Sequence, residues 1–176
     1  MSSASEVFES FIESVREICA QESPGETRWQ RASDHLRTLV ANPEFREESM
    51  SWPAARGQEL ILHHDEEHGF FVGGLVRIPN HEAYPHDHGH TWTCYGVLYG
   101  DEVTSLYKRL DDGSESGKAR VEKTVDIPTP TGMVDIVGPW RIHAESGAGE
   151  RSVAITLRSE IPGTYNQNLF DMETDT

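Results

Sequence analysis

The stretch from residue 59 to residue 158 is divided into short segments that are rich in β-branched and aromatic residues. Glycine, proline, aspartate or asparagine residues separate the segments, a pattern typical of strands joined by turns. The predicted strands cover residues 59–63, 69–78, 91–99, 102–109, 119–127, 133–137 and 151–158. Gly100-Asp101 is predicted to form a tight hairpin turn between two of them. Many short strands at close spacing indicate a β-sandwich or β-barrel, and not a parallel α/β sheet.

The beginning of the chain has the periodicity of helices instead. Apolar residues recur at helical spacing from Val7 to Cys19 and again from Trp29 to Val40. This spacing predicts two amphipathic helices. The pair Asn42-Pro43 is predicted to end the second helix, because proline does not continue a helix and disfavours helical backbone at the residue before it.

The length of 176 residues corresponds to about one domain. We predict a helical extension at residues 1–50 and a β-barrel at residues 51–170, which together form one compact domain. An acidic tail follows at residues 171–176 and is expected to fray.

The formal net charge of −15 disfavours nucleic acid and anionic membranes as the main partner. No apolar run approaches the roughly 20 residues that span a bilayer. The first residues carry neither the basic nor the apolar segment of a secretion signal. Cys19 and Cys94 lie far apart and indicate no disulfide framework, so a reducing compartment is the simplest expectation. The expected location is therefore cytoplasmic.

Three histidines occupy alternate positions just before a predicted strand, at His86, His88 and His90. Alternate residues of an extended chain point to the same side, so two of these imidazoles can reach one metal ion. A further histidine, His143, follows a Gly-Pro turn later in the chain. The alternative interpretation is a solvated loop with incidental histidines, but this motif borders an apolar, aromatic strand. Imidazole nitrogen suits zinc, iron, copper or nickel, which makes the sequence typical of a transition-metal site.

Together these motifs resemble those of the cupin superfamily, in which a His-x-His precedes a strand ending in glycine and a Pro/Gly turn precedes the last histidine. The resemblance implies a mainly β fold, the double-stranded β-helix or jelly-roll barrel, preceded here by two helices. It also implies a metal bound by His86, His88 and His143. The positions that match the glutamate ligand of the family are Trp92 and Thr93. The resemblance therefore implies three neutral ligands without a carboxylate.

Such a site is similar to that of the thiol dioxygenases, which comprise the cysteine dioxygenases and the bacterial 3-mercaptopropionate dioxygenases. The motif His86-Asp87-His88, the tryptophan soon after it and the segment at residues 69–76 are also similar to those of these enzymes. The resemblance implies Fe(II), with Zn, Ni or Mn as alternatives, and a reaction of O₂ with a small anionic substrate that chelates the metal. A homodimer is expected by analogy with the fold.

The sequence departs from these enzymes at three places. The strand after the last ligand reads from Ser152 to Thr156 and lacks the histidine and tyrosine of the family's Ser-x-His-x-Tyr series. The position of the crosslinked cysteine of the animal-type enzymes is Thr93, and Cys94 is expected to face the opposite way. Leu60 falls near the position of the arginine that binds the substrate carboxylate. The sequence therefore leaves open whether the substrate is a thiol.

The neighbourhood of the site offers cationic and aromatic groups but no clear catalytic acid or base. Arg77 and Arg158 are the candidates for binding an anionic substrate. The candidates for the pocket wall are His90, Trp92, Tyr95 and Tyr107. His90 is also a candidate for a fourth ligand or for a residue that orients a ligand.

Three functions agree with these observations. The first is an Fe(II)-dependent dioxygenase, and the second is a Zn or Ni enzyme that acts as a lyase, isomerase or hydrolase. The third is a non-catalytic module that binds a small ligand through the metal. Oxygen uptake distinguishes the first function from the others. An experiment is needed because fold alone does not determine function.

Overall fold

The computed structural model describes residues 3–54 and 59–176. In this part of the chain, the helices are α1 (Ser3–Gln21), α2 (Glu26–Ala41) and α3 (Pro43–Ser49). The strands are β1 (Leu60–His64), β2 (Phe71–Arg77), β3 (Thr93–Tyr99), β4 (Glu102–Arg109), β5 (Val121–Thr129), β6 (Val134–Val137), β7 (His143–Gly147) and β8 (Ser152–Arg158). The mainly β fold with N-terminal helices is confirmed.

The short helix α3 was not predicted, and it begins where α2 ends. The side chain of Asn42 accepts a hydrogen bond from the backbone N–H of Phe45 at 2.9 Å, and Pro43 occupies the first turn. Asparagine at the cap and proline in the first turn both favour a helix start. The pair that ends α2 therefore also starts another helix.

The strands form two antiparallel sheets, in the orders β1-β2-β8-β3-β6 and β5-β4-β7. The consecutive strands β3 and β4 lie in different sheets, so the predicted hairpin at Gly100-Asp101 was wrong. These residues form a corner at which the chain crosses between sheets. A side chain at Gly100, where φ is 73°, would place its Cβ 2.5 Å from the carbonyl oxygen of Arg151. This arrangement of two sheets is the expected double-stranded β-helix.

Strand β8 lies in the middle of the larger sheet and is buried on both faces. Val153, Ile155 and Leu157 belong to the core that this sheet forms with the helices. Alternate residues of a strand point to opposite faces, so Ser152 and Arg158 point between the two sheets. The helices therefore cover one face of the sheet, and the other face lines the interior of the barrel.

Helix α2 approaches β3 closely at Gly96. A Cβ at this position would lie 2.6 Å from Cγ2 of Val40 on α2 and 3.4 Å from Cγ2 of Ile155 on β8. Val40 and Ile155 are fully buried. The absence of a side chain at Gly96 thus allows the helix to pack against the strand.

Helix α1 is tied to the turn after β1 by an ion pair. Arg16 Nε donates to Asp65 Oδ2 at 2.6 Å, and Asp65 Oδ1 accepts from the backbone N–H of His68 at 2.8 Å. Burial disfavours the charged form of Asp65, but the hydrogen bonds from Arg16 and His68 hold its pKa below the ordinary value. The carboxylate is therefore an ionised link between the helices and the barrel.

Strand β7, which pairs with β4, was not predicted from the sequence. It reads His143-Ala144-Glu145-Ser146-Gly147 and contains none of the β-branched or aromatic residues that favour strands. The strand forms nevertheless because its backbone pairs with β4 and the side chains of His143 and Glu145 face the interior of the barrel.

The end of the chain packs back on the barrel. The backbone N–H of Ala119 donates to the carbonyl oxygen of Asp175 at 2.9 Å. The tail at residues 171–176 therefore has a backbone contact with the barrel where fraying was expected. In residues 3–54 and 59–176, no helix has both the length and the apolar character needed to cross a bilayer.

Candidate metal centre

Backbone hydrogen bonds hold His86 and His143 side by side. The N–H of His86 donates to the carbonyl oxygen of His143 at 2.8 Å, and the N–H of His143 donates to that of His86 at 2.9 Å. His88 follows in the same loop, and Gly89, with φ of 59°, then turns the chain towards β3. The spacing between the first and last histidines is therefore set by the main chain.

The three imidazole rings converge between the sheets. The ring centroids of His86 and His143 lie 4.5 Å apart, and His88 lies 5.1 Å from each of them. One ring nitrogen from each residue lies within 4.8 Å of the other two. His88 and His143 are buried and His86 is partly buried. This spacing suits three ligands of one metal ion.

The hydrogen bonds of His86 and His143 prepare these rings for metal binding. Nδ1 of His86 lies 2.9 Å from the carbonyl oxygen of Tyr84, and Nδ1 of His143 lies 3.1 Å from that of Arg141. Because a carbonyl oxygen only accepts, each Nδ1 carries the proton and each Nε2 has a free lone pair. Nε2 of His143 and of His88 is buried without a hydrogen-bond partner. Such orphaned groups are rare, and a metal ion would satisfy the lone pair on Nε2 of His143.

His88 is held differently, because its Nδ1 lies 2.6 Å from Nη1 of Arg158 and 3.1 Å from Oγ1 of Thr93. Burial, followed by the charge of Arg158, lowers the pKa of His88 to about 2, so the ring is neutral at physiological pH. A guanidinium only donates, so the neutral ring carries its proton on Nε2. Metal binding through Nε2 therefore requires Arg158 to turn away from Nδ1, which can then donate to Thr93.

A carboxylate also lies beside the three histidines. Oε1 of Glu145 is 3.2 Å from Nε2 of His143, and Oε2 is 4.0 Å from Nε2 of His86 and 3.7 Å from Nη2 of Arg77. Burial disfavours the charge, but His143, Arg77 and His86 hold the pKa of Glu145 well below its usual range. The carboxylate is therefore ionised.

Glu145 was missed because the expectation considered only the stretch after His88, where the family carries its glutamate. The signal that could have found it is the pattern His143-x-Glu145, since residues two apart on a strand point to the same face. That signal required β7 to be identified as a strand.

Arg77 is buried and engaged with protein groups. Its Nη1 donates to the hydroxyl of Tyr95 and, at 3.2 Å, to Oε1 of Glu102. Glu102 also accepts from the hydroxyl of Tyr95 at 2.7 Å and from Ser152 at 2.6 Å. Arg77 therefore stabilises buried carboxylates and does not present a free cation to the cavity.

Arg158 has one nitrogen that is not engaged in this way. Its Nε donates to Glu59 at 3.0 Å, and its Nη1 contacts His88 and, at 3.0 Å, Thr93. Among the described residues, Nη2 of Arg158 has no hydrogen-bond partner. A cationic group is thus placed beside the three histidines.

The pocket candidates lie in different places. Tyr95 lines the space around the histidines. His90 is exposed, with its Nε2 2.8 Å from Glu160. Trp92 packs against the helix-side core, and Tyr107 packs in a separate cluster with Val121. The structure therefore brings Tyr95 to the site, together with both arginines, and places the other three candidates outside it.

Cys94 and Thr93 face opposite sides of β3, as strand alternation requires. Cys94 is fully buried against α2, with its Sγ 3.5 Å from the carbonyl oxygen of Trp29. Thr93 contacts His88 on the other side. The cysteine is therefore outside the site.

The histidines line a cavity of about 130 Å³ between the sheets, which we call the central cavity. An outer pocket of about 800 Å³ adjoins it and shares His86, Arg77 and Arg158 as lining residues. The central cavity has room for a small molecule beside the histidines, and the outer pocket provides the approach to it.

No family model matches the sequence, and no curated protein sequence matches it significantly. Similar solved structures include an uncharacterized conserved protein with a double-stranded β-helix domain from Klebsiella pneumoniae subsp. pneumoniae MGH 78578. That match has 17% identity and a TM-score of 0.44, and it covers 72% of this chain and 94% of the other. The cupin domain of Cnp3 from Schizosaccharomyces pombe is 13% identical with a TM-score of 0.48, covering 64% of this chain and 67% of the other.

An oxalate oxidase in complex with the substrate analogue glycolate is 13% identical, with a TM-score of 0.49. The match covers 69% of this chain and 61% of the oxalate oxidase, so this chain spans less than two thirds of that protein. The fold of this chain follows from its own strand order in two antiparallel sheets and not from these matches.

Proposed function

We propose that the protein is a metal-dependent enzyme of the dioxygenase type, which uses Fe(II) and O₂ to oxidise a small anionic substrate. The observation that carries this proposal is the convergence of His86, His88 and His143 in a buried cavity, where the lone pair on Nε2 of His143 has no partner. Bound there, Fe(II) would supply positions at which substrate and O₂ can bind side by side.

The preference for an anionic substrate is supported by Arg158. Its Nη2 has no hydrogen-bond partner among the described residues, and the side chain lines both the central cavity and the outer pocket. Arginine binds carboxylates through several N–H groups at once, which fixes the orientation of the anion as well as its charge. We expect Arg158 to turn from His88 to the substrate carboxylate when the histidine binds the metal.

The small size of the substrate follows from the central cavity. Its walls include Leu75 and Val137, and its volume of about 130 Å³ leaves room for only a few heavy atoms. Tyr95 does not serve as a free acid, because its hydroxyl already donates to Glu102. The residues of the cavity thus bind and orient a small anionic substrate.

The first test is metal analysis of protein purified without a chelating tag. We expect about one iron per chain in the wild type and in His90→Ala, whose side chain is exposed, and a loss of iron in His143→Ala. Absence of bound metal from the wild type, even after incubation with Fe(II) under reducing conditions, would refute the proposal.

The second test is oxygen uptake with cysteine, 3-mercaptopropionate and other small chelating acids. Uptake that requires the substrate and is lost in His143→Ala supports a dioxygenase. Zinc or nickel in the purified protein, together with turnover of a substrate without O₂, would instead establish a lyase, isomerase or hydrolase.

A further inference from the structure

We propose that Glu145 is a fourth protein ligand of the metal, bound from β7 together with His143. This inference rests on the proposed metal site, and it changes the expected centre from three neutral ligands to three neutral ligands and one carboxylate. The carboxylate then comes from a different strand than the one that follows His86 and His88.

The first observation is that the carboxylate of Glu145 is buried and lacks a donor. Its side chain is 8% exposed, and among the described residues no N–H or O–H group donates a hydrogen bond to it. Arg77 is 3.7 Å away, beyond hydrogen-bond distance. Buried carboxylates are normally paired or bound to a metal, because an isolated buried charge is costly.

The second observation is the contrast with Glu102, which is buried in the same part of the barrel. Glu102 accepts hydrogen bonds from Arg77, Tyr95 and Ser152, and its charge is therefore matched. Arg77 has one positive charge to share between Glu102 and Glu145. The charge that remains on Glu145 faces the three histidines, where a divalent cation would compensate it.

The third observation is the relation between Glu145 and His143. Oε1 of Glu145 lies 3.2 Å from Nε2 of His143, but the two atoms lack the geometry of a hydrogen bond. Two ligands bound at right angles to one ion, each about 2.1 Å from it, lie about 3 Å apart. The separation of the nitrogen and the oxygen therefore agrees with two neighbouring ligands of one ion.

The strand explains why both residues reach the same point. His143 and Glu145 are two positions apart on β7, so both point into the barrel, and the pairing of Thr104 with Glu145 fixes the register against β4. Thr93, one of the two positions that match the family's glutamate, contacts the ring of His88 instead. In this proposal the carboxylate ligand, Glu145, is supplied by β7.

The test compares wild type, Glu145→Gln and the exposed control Glu160→Gln, all prepared without metal. Binding of Mn(II) is followed by electron paramagnetic resonance, and binding of Co(II) by its visible absorption spectrum. We expect Glu145→Gln to weaken Mn(II) binding at least about tenfold and to change the Co(II) spectrum, because losing even a residue that supports a ligand costs about 10- to 100-fold. Glu160→Gln should behave as wild type.

Thermal unfolding with and without Mn(II) separates a ligand from a structural residue. If Glu145 is a ligand, added Mn(II) raises the Tm of the wild type and of Glu160→Gln more than that of Glu145→Gln, whereas loss of a purely structural residue lowers the metal-free Tm and leaves this increase unchanged. Unchanged Mn(II) affinity and an unchanged Co(II) spectrum in Glu145→Gln would overturn this inference and leave the three-histidine site intact. Failure of the wild type to bind any metal would overturn the proposed function as well.

Discussion

The close approach of α2 to β3 makes Gly96→Ala a sharp test of the packing. The added methyl group would lie 2.6 Å from Cγ2 of Val40, well inside van der Waals contact. Val40 is fully buried, and a β-branched residue in a helix has one strongly preferred rotamer. The helix or the strand must therefore move to accept the methyl group.

Two effects of opposite sign determine the size of the change. Overpacking a core costs about 1–3 kcal/mol. Replacing glycine by alanine also reduces the entropy of the unfolded chain, which stabilises by about 0.4–1 kcal/mol. The clash dominates, and we expect a net loss of about 1–2 kcal/mol. For a chain of this length that is a decrease in Tm of roughly 2–8 °C.

The assay is urea unfolding and thermal unfolding of Gly96→Ala, Val40→Ala and the double variant. Val40→Ala alone creates a cavity and also destabilises the protein. In the double variant the new methyl group enters that cavity, so the combined loss should be smaller than the sum by about 1 kcal/mol. Metal content should not change, because Gly96 faces the helices and not the central cavity.

A Gly96→Ala protein as stable as the wild type would refute this account of the packing. Additive losses in the double variant would also refute it. The combined loss would then equal the sum of the two single losses within about 0.5 kcal/mol, as it does for independent sites.

The remaining predictions concern the ion pairs and the cysteines. The pKa of Asp65 is lowered in the folded state, so its stabilisation is present above the ordinary aspartate pKa and is lost as pH falls through the folded value. The free energy of unfolding of Arg16→Met should therefore be lower than that of the wild type at pH 7 in urea titrations, with a smaller difference at pH 3; a constant difference would contradict the assignment. Arg77→Met should destabilise the protein by about 3–5 kcal/mol, because it leaves buried carboxylates without their cation; chemical denaturation measures this, and a loss below 1 kcal/mol would refute it. Burial raises the pKa of Cys94 to about 12 and also raises that of Cys19, so at pH 8 a thiol reagent should label neither until urea unfolds the chain, and fast labelling of either in the native protein would show that it is accessible.

The sequence predicted those parts of the fold that depend on local periodicity. The helix-side residues of β8 alternate with interior residues, and the apolar residues of α1 and α2 recur at helical spacing, so these elements were identified from their patterns. The three histidines converge in the structure because His86 and His88 alternate in an extended segment and His143 pairs with His86 through the backbone.

The features that were missed depend on contacts between distant parts of the chain. The turn signal at Gly100-Asp101 was correct, but a turn does not indicate which sheet the next strand will join. Strand β7 has polar interior residues because it faces a cavity, so it lacks the apolar pattern of a strand. Missing β7 also hid Glu145, whose relation to His143 is visible only when both are placed on one strand.

The backbone pairing of His86 with His143 fixes where these two ligands lie, whatever the chemistry of their side chains. Their separation is maintained by two main-chain hydrogen bonds, which any residue other than proline can make at either position. Exchanging either imidazole for a thiolate or a carboxylate therefore keeps the side chain at the same place in the barrel. The choice of metal at this site can thus change through single substitutions, without rearrangement of the strands that carry the ligands.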